Sequence, residues 1–162
     1  MGVAETHVKQ ARIVALLVPS ALLGGAYISQ YGFGLFPCVM CWWQRYAHFA
    51  ALAFALLAFA LPGTARVRAQ VMLAGLAIAV SAAIGAYHAG VEYTWWKGLT
   101  TCASAVRLSD GGDPLAAIMN KAPMVSCDQA QWTLFGISLA GFNFVFSGLG
   151  AAAVFALLRR KG

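Results

Sequence analysis

Four long apolar stretches, at positions 13–30, 43–61, 71–91 and 134–158, leave this chain few ways to fold. A helix crosses the hydrocarbon core of a bilayer with about 20 mostly apolar residues, and each stretch is of that order. Hydrophobic residues make up 61% of the chain and charged residues 10%, against about 45–50% and about 25% in soluble domains. Such a composition cannot cover a water-facing surface. The expected fold is an all-α integral membrane protein: one domain over residues 1–162, built as a four-transmembrane-helix bundle in the lipid bilayer.

The connections differ in character. Pro62-Gly63, followed by Arg66 and Arg68, reads as a short basic turn, residues 31–42 as a loop rich in aromatics, and residues 92–132 as a long polar loop. Lys9, Arg12, Arg66, Arg68, Arg159, Arg160 and Lys161 flank one side, with Glu5 the only acid there. Arg45, Lys97, Arg107 and Lys121 fall on the other side and are balanced by Glu92, Asp110, Asp113 and Asp128. Basic residues mark the cytoplasmic side, so both termini are expected inside the cell. The formal net charge of +6 is then a topology signal, and no nucleic-acid partner is needed to explain it. The first stretch exceeds the apolar core of a signal peptide, about 7–15 residues, and is read as retained. Trp42, Trp43, Trp95, Trp96 and Trp132 gather at the outer boundary as an interfacial belt.

Cys38, Cys41, Cys102 and Cys127 all fall on the non-cytoplasmic side in this topology. An even number of cysteines in an oxidising compartment argues for disulfides. Cys38-Val39-Met40-Cys41 opens a helix, whose positive end favours the reactive thiolate. Arg45 follows Cys41 by one helical turn, on the same face, where its cation would favour a thiolate. Zinc binding and inert disulfide staples also use four cysteines. Zinc sites bring closely spaced pairs or histidines, whereas Cys102 and Cys127 are far apart and no histidine lies in their loop; no metal is expected. A staple fits a small C-x-x-C ring beside a cation poorly.

The run Pro37-Cys38-Val39-Met40-Cys41-Trp42-Trp43-Gln44-Arg45 resembles the P-C-x-x-C-x-x-x-R signature of the bacterial DsbB disulfide oxidoreductases. Cys127 to Trp132 resembles that family's C-x-x-x-x-W entry to the last span. Vitamin K epoxide reductase homologues share the four-helix logic, but their loop cysteines precede the C-x-x-C, and here the order is reversed. The resemblance implies a bacterial inner-membrane enzyme with periplasmic cysteines. It would reoxidise a DsbA-type periplasmic thioredoxin-fold protein and pass the electrons to membrane quinone, ubiquinone or menaquinone. It also implies the roles. Cys102 accepts the partner's attack, Cys127 passes electrons to Cys38, and Cys41 faces the quinone with Arg45 beside it.

Leu115, Ile118 and Met119, after Asp113-Pro114, have the spacing of a short amphipathic helix on the membrane surface. His88 is a second candidate for the quinone pocket, with Glu92 one turn beyond. His48 reads as an ordinary span residue and His7 as a solvated one. The glycines, including Gly24-Gly25 and those from Gly141 to Gly150, read as close-packing positions, and Asn143 as an interhelical hydrogen-bonding residue. Three rival readings are a non-enzymatic scaffold with structural disulfides, an oxidase dedicated to one specialised partner, and a small transporter. The last is disfavoured because, apart from the interfacial Arg45, no ionisable residue lines the span centres.

Overall fold

A computed structural model describes residues 3–99 and 125–160. Cys102, Arg107, Asp110, Asp113, Lys121 and the expected surface helix around Leu115 lie outside the described residues. Four helices account for most of the rest: α1 (Val3–Phe33), α2 (Val39–Ala60), α3 (Thr64–Glu92) and α4 (Leu139–Arg159). The strands β1 (Thr133–Leu134) and β2 (Ile137–Ser138) form a small hairpin just before α4. Packing of α2 on α3, α3 on α4, and both α2 and α4 on α1 closes the helices into a ring.

Two corrections to the sequence reading concern boundaries. The helices α1 and α3 begin well before positions 13 and 71, because polar and charged residues such as Arg12 and Arg68 continue the helix beyond its apolar part. The first outer loop shrinks to 34–38, because α1 runs on to Phe33 and α2 begins at Val39, and Arg66 and Arg68 sit in the opening turns of α3 rather than in a turn between helices. Positions 134–138 are not helical. Phe135 (φ 52°) and Gly136 (φ 76°) both adopt left-handed backbone, the geometry of a tight hairpin turn, with Thr133 opposite Ser138.

Three helices, α1, α3 and α4, are long and apolar enough to cross a membrane. The helix α2 carries Gln44, Arg45 and His48 in its first half. The interior is built from small residues: Ala11, Ala15, Ala55, Ala58 and Ala74 are fully or almost fully buried, while Leu17, Leu56, Leu76 and Leu149 point outward, about half exposed or more. This is the arrangement of helices packed in lipid, where small side chains allow close approach and bulky ones face the tails. A Cβ at Gly150 would lie 2.8 Å from Val18, and one at Gly85 would lie 3.0 Å from both the Asn143 amide and the Phe144 backbone nitrogen. Gly24, Gly25 and Gly148, by contrast, have nothing within 4 Å of such a Cβ, so the close-packing reading fails there.

At one end of the bundle, arginines satisfy helix C-termini. Arg12 Nη1 donates to the Ala58 carbonyl near the end of α2 at 3.2 Å, and Arg68 donates to the Leu158 carbonyl near the end of α4. A cation there complements the negative end of each helix dipole.

Candidate active site

The opposite end of the bundle holds the cysteines. Cys38 is the N-cap of α2, and its sulfur accepts from the Cys41 amide at 3.2 Å. That cap sets the first turn of the helix and brings the two Sγ atoms to 2.9 Å. Gln131 holds the second loop against the first by donating to the Phe36 carbonyl at 2.7 Å. Tyr93 clamps the hairpin, donating to the Gly136 carbonyl at 2.7 Å and accepting from the Ser138 amide at 2.8 Å. Between these ties, Cys127 is buried in one cluster with Cys38, Met40 and Val91. Its thiol comes within hydrogen-bonding reach of Cys38.

The three described cysteines are not equivalent. Cys38 sits between Cys127 and Cys41, whereas Cys41 lines a cavity of about 270 Å³ among the four helices and the outer loops. Cys127 draws the Cys38 thiol down, but its hydrogen bond with Cys41 and its burial outweigh that and push it up to about 12. With the pair reduced, Cys38 is therefore the sulfur that keeps its proton.

Arg45 also lines the cavity and is only 6% exposed. Its guanidinium is tied to α1 rather than aimed at Cys41: Nη1 donates to Gln30 Oε1 at 2.6 Å and Nη2 to the Ala26 carbonyl at 3.2 Å. It is sandwiched by the rings of Tyr27 and Trp42, at 4.9 and 5.0 Å. Among the described residues, no carboxylate forms an ion pair with it.

His88 joins the cavity to the cysteines. Its Nε2 lies 3.5 Å from Cys38 Sγ and 3.6 Å from Glu92 Oε1, and its Nδ1 lies 3.0 Å from Gln44 Nε2. Gln44 Nε2 also donates to the Met40 carbonyl at 3.2 Å, which fixes the orientation of the amide. His88 Nδ1 is thus an acceptor, and Nε2 carries the proton, with the Cys38 sulfur and the Cys127 backbone both in reach. Cys38, Cys41 and His88 present three possible metal ligands within 4.8 Å of one another. Two of these sulfurs belong to the C-x-x-C turn and lie 2.9 Å apart, within reach of closing into a disulfide.

Sequence reasoning read Asn143 as an interhelical hydrogen-bonding residue, which it is, but missed the network around it. His48, Ser81, Asn143 and Ser147 are hydrogen-bonded together inside the bundle, with Asn143 Nδ2 donating to Gln44 Oε1 at 2.8 Å. His48, read from the sequence as an ordinary span residue, is 3% exposed and joins this network. The available signal was the presence of four polar residues inside otherwise apolar stretches. Trp132 lines the cavity, while Trp96 covers the end of α3, donating to the Tyr87 carbonyl at 2.9 Å; neither is simply a belt residue.

The family model for disulfide bond formation protein DsbB matches residues 8–157. The chain belongs to the DsbB family. Among its relatives, the disulfide bond formation protein B of Aromatoleum aromaticum is 29% identical over 153 residues, covering 89% of this chain and 88% of the relative. The proteins of the same name from Marinobacter nauticus and Methylococcus capsulatus are each 30% identical, covering 91% and 86% of this chain and 90% and 87% of theirs. No solved structure matches the chain significantly. As a DsbB family member with three long apolar helices, the chain is a multi-pass membrane protein of disulfide bond formation, with disulfide oxidoreductase activity.

Proposed function

We propose that this DsbB-family chain reoxidises a periplasmic DsbA-type partner and delivers the electrons to membrane quinone. All four helices cross the bacterial inner membrane in this reading, with both termini in the cytoplasm and the cysteines on the periplasmic side. The observation that carries it is the position of Cys38, with Cys127 on one side and the cavity-lining Cys41 on the other.

Thiol–disulfide exchange passes a bond along three sulfurs, the attacking thiolate displacing the far one. The partner's thiolate attacks Cys102, the Cys102–Cys127 bond breaks and Cys127 leaves as a thiolate. Cys127 then attacks Cys38, forming Cys38–Cys127 and releasing Cys41 as a thiolate at the cavity. The partner's second thiol displaces Cys102, which attacks Cys127 to restore the loop disulfide and frees Cys38. The result is an oxidised partner and a reduced Cys38/Cys41 pair, in which the pair of electrons now resides.

The cavity suits a quinone. Leu22, Leu23, Leu35 and Phe142 supply apolar walls for a ring, and the Arg45 cation stands beside them to meet a carbonyl oxygen. When bound, the quinone supplies a two-electron acceptor that lets Cys38–Cys41 re-form, with the two thiol protons leaving on the quinol. Arg45 would hold it, while His88, with Nδ1 accepting from Gln44 and Nε2 beside Cys38, would position the cysteine pair.

The test is quinone reduction by purified protein given a reduced DsbA-type partner. Cys38→Ser and Cys41→Ser are expected to abolish turnover while the fold persists. Full activity in either variant refutes the relay. Comparing a general with a specialised partner decides whether the oxidase is dedicated to one substrate.

A further inference from the structure

Cys38 caps a helix, whereas Cys127 lies in a turn of the second outer loop. A loop residue needs ties to hold its sulfur against a partner on another segment. Cys127 is nevertheless 1% exposed and packed with Cys38, Met40 and Val91. Its backbone lies within hydrogen-bonding reach of the His88 ring, near the end of α3.

The polarity of that contact is set from inside the bundle. Asn143 Nδ2 lies 3.2 Å from the Ser81 carbonyl oxygen, which can only accept, and 2.8 Å from Gln44 Oε1. Gln44 Nε2 in turn faces the Met40 carbonyl at 3.2 Å and His88 Nδ1 at 3.0 Å. Both amides are thereby oriented, and each donates to the next group. A neutral imidazole that accepts at Nδ1 donates at Nε2, so the Cys127 group that meets it is the carbonyl. The other neighbours of Nε2 compete poorly for its proton. Glu92 Oε1 stands at 3.6 Å, past hydrogen-bond length, and Cys38 Sγ at 3.5 Å is a weak acceptor.

Asn143 on α4, Gln44 on α2, His88 on α3 and Cys127 on the loop therefore form one head-to-tail chain of donors and acceptors. It runs from the interior of the bundle to the backbone of the loop cysteine.

We propose that His88 is a positioning residue for the exchange between Cys127 and Cys38: its Nε2 proton holds the Cys127 carbonyl and keeps the two sulfurs together, and Gln44 fixes the tautomer that this needs. The proposal rests on the relay described above. In that step the Cys127 thiolate attacks Cys38, the Cys38–Cys41 bond breaks and Cys41 leaves as a thiolate. The imidazole stays neutral throughout, and no proton or electron crosses it.

The test measures the bond rather than turnover. One full-length chain keeps Cys38 and Cys127 (Cys41→Ser, Cys102→Ser), and another keeps Cys38 and Cys41 (Cys102→Ser, Cys127→Ser). Each is equilibrated anaerobically in detergent micelles with glutathione buffers, and alkylation of the free thiols gives the effective concentration of the bond. Both bonds use Cys38, so effects on that sulfur cancel in their ratio. A net hydrogen bond of about 1 kcal/mol corresponds to roughly a five-fold change. His88→Leu is expected to lower the Cys38–Cys127 value about that much relative to Cys38–Cys41, and Gln44→Leu to lower it in the same direction. An unchanged ratio in His88→Leu overturns the proposal and leaves the relay standing. Failure of Cys38 and Cys127 to close with His88 in place overturns the relay, and this proposal with it. A further measurement needs no change at His88: nitrogen NMR of protein carrying nitrogen-labelled histidine is expected to show His88 protonated on Nε2, and a proton on Nδ1 instead overturns the proposal.

Discussion

Replacing Asn143 with leucine keeps the shape of the side chain and removes its polarity, so the loss reports hydrogen bonding rather than a cavity. Asn143 donates to Gln44 Oε1 at 2.8 Å and to Ser81 at 3.1 and 3.2 Å, and it accepts from His48 at 2.9 Å and Ser147 at 3.1 Å. Hydrogen bonds between helices in lipid average about 0.6 kcal/mol each and reach about 1.7. Not all of these contacts are lost outright, because His48 Nε2 keeps Ser81 Oγ at 2.9 Å. The partner most exposed to the loss is Gln44 Oε1, whose donor is Asn143. About 2 kcal/mol is therefore expected for Asn143→Leu. Reversible unfolding in mixed micelles, followed by helical circular dichroism, measures it. The double-mutant cycle with Gln44→Leu isolates the pair and should give a coupling of about 1 kcal/mol, because the second change removes the atom that the first left unsatisfied. A single-mutant cost below about 0.5 kcal/mol, or a cycle additive within about 0.3 kcal/mol, would refute the network as an energetic unit.

Two further outcomes follow from the site's geometry. In the reduced protein, alkylation of Cys38 should have a pH midpoint near its raised value of about 12, because the thiolate is the reacting species. The sign follows from the shift: a raised thiol pKa keeps Cys38 protonated through neutral and mildly alkaline pH. Peptide mapping after labelling checks this, and a midpoint below about 10 contradicts it. Gly90→Ala would place a Cβ 2.0 Å from the Trp96 ring, so the indole must leave its stack with Tyr87 and its bond to the Tyr87 carbonyl. A stability loss of about 1–3 kcal/mol and a red shift in tryptophan emission are expected; an unchanged spectrum would show that the indole does not sit there.

Features that depend only on distance along the chain were legible before any fold was seen. The helices follow from runs of apolar residues, and Cys38 and Cys41 share one turn because two residues separate them. The hairpin at Thr133–Ser138 was not legible, since Leu134, Phe135 and Ile137 merge with the apolar run of α4 and conceal the turn made at Phe135-Gly136. Arg45 was placed on the correct helix, but its side chain follows Gln30 and Ala26 on α1, a contact that no local spacing encodes.

The sequence by itself determined the solvent, the helical architecture, the family and the candidate cysteines. Each of these is written in composition, segment length or motif spacing. Tertiary structure alone decided that Cys38 stands between Cys127 and Cys41, that Cys41 faces the cavity, and that His48 meets Ser81 and Asn143 inside the bundle. The reason is rotational. In a helix that is apolar on every side, the sequence leaves its rotation about its own axis poorly specified, and packing against neighbours such as Gly85 and Gly150 supplies it. Only then do Gln44, His48, Ser81, Asn143 and Ser147, drawn from three helices, meet and direct one another's protons.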